Sequence, residues 1–232
     1  MDKKKLLAAA AAGVMLMACS LAVAYFTDQD TRTNVFTVGN VALELNEEHF
    51  TDGQLARVDV RLAKDPTVKN TGKNDEFVFL EVKVPKRSVT LLDANGQKTG
   101  AKAPNEVFGF FAEESSQTVS GSSNFSYNGR TAAADGWVFL DKEEAANEDT
   151  YIFGYSRRLS SGEETVSLFD SFALRSFIEE EVAGGSSLTV PVNAYGIQAD
   201  SLDGVSGLPD SDSDLTAQNL RDIFAICRNK QD

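Results

Sequence analysis

The chain is predicted to be mainly β, an antiparallel jelly roll or β-sandwich with loop insertions and a short C-terminal helix. Three observations lead there. Fifteen Phe and five Tyr stand against one Trp and three Met, a bias toward residues that suit a pleated surface. Apolar and polar residues alternate over several short runs, and turn residues divide those runs with no helical period between them.

Taken in chain order, residues 36–45 (FTVGNVALEL) carry Phe36 and Val38, then Val41, Leu43 and Leu45, at period 2. Residues 57–62 (RVDVRL) alternate Val58, Val60 and Leu62 against charge. Asp65-Pro66 reads as a strand start, where a missing N–H does no harm. Asn70-Thr71-Gly72 is expected to supply a turn with φ > 0. Residues 77–84 (FVFLEVKV) then pair antiparallel with the strand before them and end at Pro85, a strand breaker. Residues 137–140, 151–155 and 187–198 read as further strands, all half-buried. Asn95-Gly96, Ser161-Gly162 and Gly184-Gly185 mark other turns.

Residues 113–130, rich in Ser, Gly and Asn, read as an exposed loop or edge hairpin. Residues 201–214 hold Gly204, Gly207, Pro209 and the run DSDSD, and are expected to be an acidic flexible linker. Residues 215–232 form a C-terminal helix and tail. Leu220, Ile223, Phe224 and Cys227 fall on one helical face, with Asp214 as N-cap. No tandem repeat is visible.

The N-terminus has a different character. Met-Asp-Lys-Lys-Lys is followed by an uncharged stretch from Leu6 to Ala24, and charges become frequent after Tyr25-Phe26-Thr27-Asp28. This is the pattern of a secretory signal peptide over residues 1–24, with Ala22 and Ala24 forming the A-x-A site and Tyr25 becoming the new N-terminus. Two rival readings stand beside it. One is a retained anchor, since the apolar stretch approaches spanning length but is Ala-rich. The other is lipidation at Cys19, although Met17 fits a lipobox poorly. Cleavage leaves no stable membrane anchor. Residues 25–38 then form an extended arm ahead of a domain spanning residues 39–200.

The formal net charge is −13. Such a balance opposes nucleic-acid binding, which needs clustered Lys and Arg, and docking to an anionic membrane. It favours solubility. If Cys19 leaves with the signal peptide, Cys227 has no cysteine to pair with internally, so the core, assembly or both must stabilise the domain.

Signs of catalysis are absent from the sequence. His49 is the one histidine. There is no H-E-x-x-H, no G-x-S-x-G and no phosphate-binding glycine loop. A calcium loop beginning at Asp210 fails, because Leu215 and Arg221 stand where Gly and Glu are required. Cys227 reads as a small packing residue. No catalytic, cofactor-binding or metal-ligating residue is assigned, and the chain is not expected to be an enzyme.

One ordered set of motifs is more specific. Ala24-Tyr25-Phe26-Thr27-Asp28 runs into Thr33-Asn34-Val35-Phe36-Thr37-Val38-Gly39-Asn40-Val41. KDPTVKNTGKND follows at 64–75, then FVFLEV at 77–82, YIFGY at 151–155, TVSLFD at 165–170 and AYGIQAD at 194–200. Together these resemble the TasA/camelysin (CalY) family of Gram-positive bacteria over roughly residues 1–200. The resemblance implies processing by a SipW-type signal peptidase and a jelly-roll domain at the cell surface or in the extracellular biofilm matrix. It also implies fibres built by donor-strand exchange with further copies or related matrix subunits. The donor would be the arm, through Tyr25, Phe26, Val35, Phe36 and Val38, which can complete another molecule's sheet edge. The rival reading is that the arm packs on its own sandwich. Camelysin also carries a metallo-endopeptidase label, which one histidine does not support, since such a zinc site uses at least two. A surface binding module or adhesin, presenting residues 113–130 and the C-terminal helix, is the alternative function.

Overall fold

A computed structural model describes residues 34–38, 42–48, 60–111, 136–182, 188–200, 202, 208, 212 and 215–229, the first segment by its backbone alone. The fold is mainly β, with antiparallel strands in curled sheets and one C-terminal helix. The main sheet runs β1 (Asn34–Val38), β11 (Val192–Gln198), β5 (Glu76–Val89), β9 (Glu148–Tyr155) and β8 (Trp137–Glu144), with β6 (Ala103–Glu106) pairing the far end of β5. A second sheet is β3 (Leu62–Ala63), β10 (Ser171–Leu174) and β7 (Phe108–Phe111). β2 (Leu43–Asn46) and β4 (Thr67–Asn70) form a separate antiparallel pair.

Side-chain alternation on β5 explains the layering. Val78, Leu80, Val82 and Val84 point into the core between the sheets, where they join Phe108, Phe110, Phe172 and Leu174. Phe108 meets Phe172 edge-on at 5.3 Å between ring centroids, and Phe110 meets Phe169 at 4.9 Å, a geometry that suits the ring quadrupoles. Phe77 and Phe79 point the other way, into a second cluster with Tyr195, Ile197, Leu220, Ile223 and Phe224. The strand is therefore buried on both faces, not half-buried as its alternation with Glu81 and Lys83 suggests. Glu81 is accommodated on the helix side by the Tyr195 hydroxyl, which donates to it at 2.6 Å.

The second cover is the helix α1 (Ala217–Asn229), which buries the expected four residues, Leu220, Ile223, Phe224 and Cys227. Asp214 lies outside the described residues. The capping bonds come from Thr216, whose Oγ1 accepts from the Asn219 N–H at 3.2 Å while the Asn219 side chain accepts from the Thr216 N–H at 2.9 Å. This is a reciprocal cap with Asn in the third helical position.

Several expectations need correction. Pro85 does not end its strand, because β5 exchanges partners there. Pairing with β11 stops at Val82, pairing with β9 ends at Pro85↔Glu148, and β6 takes over from Lys86, so the missing N–H leaves no ladder bond unmade. The strand before β5 does not pair with it: β4 pairs with β2, and β5 pairs with β9 and β11. Residues 36–45 do not make one strand. β1 belongs to the main sheet and β2 to the small pair, and the phase of the apolar positions shifts between Val38 and Val41 accordingly. Of the described residues 60–62 only Leu62 enters a strand, and Val60 is 44% exposed; residues 57–59 lie outside the described residues. Gly96 (φ 75°) and Gly162 (φ 81°) do adopt the left-handed backbone expected of their turns. His49, Gly184-Gly185, residues 113–130 and most of 201–214 lie outside the described residues.

Candidate functional site at the N-terminal strand

Tyr25, Phe26 and the cleavage residues Ala22 and Ala24 lie outside the described residues. Val35, Phe36 and Val38 lie in β1, which pairs parallel with β11 of its own chain, Val35 opposite Ala194, Phe36 opposite Tyr195 and Val38 opposite Ile197. Among the described residues β1 is the outermost strand of the main sheet, hydrogen-bonded to it along one edge. It stands beside an otherwise antiparallel sheet, and its parallel pairing is slightly weaker per residue than an antiparallel one.

Ala42, four residues past β1, is held by a clamp built from the Asn70-Thr71-Gly72 segment and Glu76. The carbonyl of Ala42 accepts from the N–H groups of Thr71 (2.8 Å) and Gly72 (3.0 Å) and from the Thr71 hydroxyl (3.0 Å). The N–H of Ala42 donates to Glu76 Oε1 at 3.2 Å. Asn70 fixes the loop, its Nδ2 donating to the carbonyls of Asn74 and Leu159 and its Oδ1 accepting from the Gly72 N–H. Gly72 does not have the positive φ expected of it. It is needed for space: a Cβ there would lie 2.8 Å from Glu76 Oε1 and 3.0 Å from the Ala42 nitrogen. Gly196 of β11, which pairs with Thr37, is confined likewise, since a Cβ would overlap Leu43 and come within 3.3 Å of Glu76 Oε2.

Glu76 is fully buried, and its Oε2 has no hydrogen-bond partner among the described residues. Burial pushes its carboxyl up to about 7, against the Ala42 N–H, which pulls it down. Sequence reading missed this residue, because a glutamate following a Lys-Asn-Asp turn has the look of a solvated charge. What could have flagged it is Gly72 inside the Asn70–Glu76 span, and that signal is weak without a structure.

A second polar cluster lies at the β8–β9 end. Lys142 Nζ contacts Glu106 Oε1 at 3.1 Å and Asp149 Oδ2 at 2.9 Å, Lys86 reaches Asp149 Oδ1 at 2.9 Å, and the Tyr151 hydroxyl donates to Glu106 at 2.6 Å. Burial drives the Asp149 carboxyl upward, but hydrogen bonds with Glu106, Lys142 and Lys86 outweigh it and hold the group down at about 2. Burial raises Glu106 and Tyr151. The charges of this cluster are mutually satisfied, which suits a structural network.

Cys227 is buried with its Sγ 3.6 Å from the Gly196 carbonyl. Among the described residues no three His, Cys, Asp or Glu side chains gather as metal ligands would, and no helix is long and apolar enough to cross a membrane. The chain matches no protein-family model, no curated protein and no solved structure.

Proposed function

We propose that this is a secreted structural protein of the extracellular matrix that assembles into, or onto, protein fibres by exchange of its N-terminal strand. The observation that carries the reading is the position of β1: an edge strand bound along one side, at the end of the segment that signal cleavage would free. An extended segment from another copy can offer β11 the same backbone donors and acceptors. A copy whose own β1 has left presents β11 as an unpaired edge, and one that donates its arm to the next subunit makes a head-to-tail contact that does not close on itself, which generates filaments. The resemblance to the TasA/camelysin family supports the same conclusion.

Negative-stain microscopy tests it. The chain beginning at Tyr25 should form filaments, whereas the uncleaved precursor and a chain lacking residues 25–38 should remain monomeric, with circular dichroism confirming that both are folded. Filaments from folded protein without residues 25–38 would show that the arm is not the connector.

A further inference from the structure

The outward face of the second sheet carries a feature that fibre formation does not use. Phe110↔Phe172 and Phe108↔Leu174 of the β7–β10 pair point into the core, so the alternate pair Gly109↔Ala173 points outward. These two small residues floor a depression of about 590 Å³, a volume in the range of small-ligand sites. Phe111 and Arg175 stand at its two ends, and a Cβ on Gly109 would lie 4.0 Å from the side chains of both. Arg61 comes in from beside β3 and stacks its guanidinium on the Phe111 ring, 4.1 Å from the centroid, which fixes the plane of its donors.

Arg157, Arg158 and Arg228 are paired with Glu163, Asp212 and Glu143. Arg87 and Arg221, like the two arginines of this depression, have no carboxylate partner among the described residues, but each reaches a backbone carbonyl elsewhere. Arg61 and Arg175 line one depression and have no carboxylate partner among the described residues; Arg175 reaches only the Glu106 carbonyl, at 3.5 Å. Asp93, in the wall, is engaged elsewhere: its Oδ1 accepts from the N–H groups of Asn95 and Gln97 at 2.9 and 2.8 Å. With 35 acidic residues against 22 basic ones, carboxylates are plentiful, yet these two guanidiniums are left facing the same space.

We propose that this cleft is a binding site for a carboxylate-bearing sugar, a hexuronate unit of an acidic glycan. Two guanidinium forks can take the carboxylate through charge-assisted, in-plane hydrogen bonds. The Gly109–Ala173 floor leaves room for the ring. A protein partner is a poorer fit, because such contacts anchor large apolar side chains in apolar pockets, and the exposed face of Phe111 is already covered by Arg61.

The test is calorimetric titration of the full chain with a digalacturonate, the neutral digalactose and inorganic phosphate, at low and high salt. The digalacturonate should bind saturably and more weakly as salt rises. Arg61→Gln and Arg175→Gln should each weaken it about tenfold or more. Gly109→Leu, which keeps both charges, should block it by filling the floor, and unchanged melting curves would show that the variants fold. No saturable binding up to about 10 mM, or undiminished binding by folded Arg61→Gln and Arg175→Gln proteins, overturns the site. Equal binding of the neutral sugar overturns the role of the carboxylate. Phosphate binding as tight as digalacturonate overturns the assignment to a sugar.

Discussion

β1 and α1 both rest on β11, and they hold it by different means. α1 lies on the face of the strand through side chains: Phe224 packs against Phe79 at 5.0 Å and Tyr195 at 5.5 Å between ring centroids, and Leu220, Ile223 and Cys227 complete the cluster. β1 lies along the strand's edge through a backbone ladder from Asn34 to Val38. An element held by shaped side chains is specific to its sequence and leaves a cavity when removed. One held by a ladder can be replaced by another extended segment that offers the same N–H and C=O groups. The face contact is one of side-chain packing, and the edge ladder is the contact that the proposed exchange would use.

The contrast can be broken from the helix side first. Phe224→Ala should cost about 3–5 kcal/mol, the largest effect expected of a single change here, read as a fall in the urea midpoint. Hydrogen exchange at residues 34–38 should stay close to that of the parent below the transition. If those amides lose protection in step with the helix, face and edge are one cooperative unit and the distinction fails.

The clamp gives a pH dependence of defined sign. Glu76 has its carboxyl raised from 4.5 to about 7 in the folded chain, so the native state binds this proton more tightly than the unfolded chain does. Its contribution is fully present below pH 4.5, is lost as pH rises through 7, and is level above that. The total is up to about 3 kcal/mol. Asp149, held at about 2, acts oppositely and only in acid, where stability is lost as pH falls below 4. Glu76→Gln should flatten the pH 4.5–7 segment of the stability profile and leave the acid limb in place. A profile unchanged by Glu76→Gln would remove this residue from the clamp.

A smaller change acts on the edge alone. Gly196→Ala brings a methyl group into Leu43 and toward Glu76, and should cost about 1–3 kcal/mol. Its signature is faster exchange at residues 34–43 with α1 still protected. Loss of protection throughout α1 instead would mean that Gly196 serves the sheet as a whole. The smallest effect belongs to the cap: Thr216→Ala should cost about 1 kcal/mol and fray the first turn of α1 without changing the edge.

How far the sequence revealed these features depended on whether they follow a period. The four buried residues of α1 were legible because spacings of three and four leave little choice of face. The strands at 77–84, 137–140 and 151–155 were legible because β-branched and aromatic residues repeat within them. Partner choice was not, since nothing in residues 67–84 says that β4 pairs with β2 and that β5 carries on through Pro85. The clamp was illegible for a related reason. Gly72, Glu76 and Gly196 are ordinary residues until residues 42 and 43 are folded against them. The arginine cleft depends on bringing together Arg61 from beside β3, Gly109 of β7 and Arg175 from just past β10, and no local pattern announces it.

The proposed exchange of β1 is tested most directly by locking it in place. Val35 and Ala194 are register partners on adjacent strands, a spacing of about 4.8 Å, within disulfide range. In a chain beginning at Tyr25 with Cys227→Ser, the pair Val35→Cys and Ala194→Cys should close an intramolecular bond under oxidising conditions. Microscopy of the same preparation before and after reduction is then the measurement. The prediction is folded monomers while the bond is closed and filaments once it is reduced. Filaments forming equally well with the bond closed would contradict exchange of the N-terminal strand.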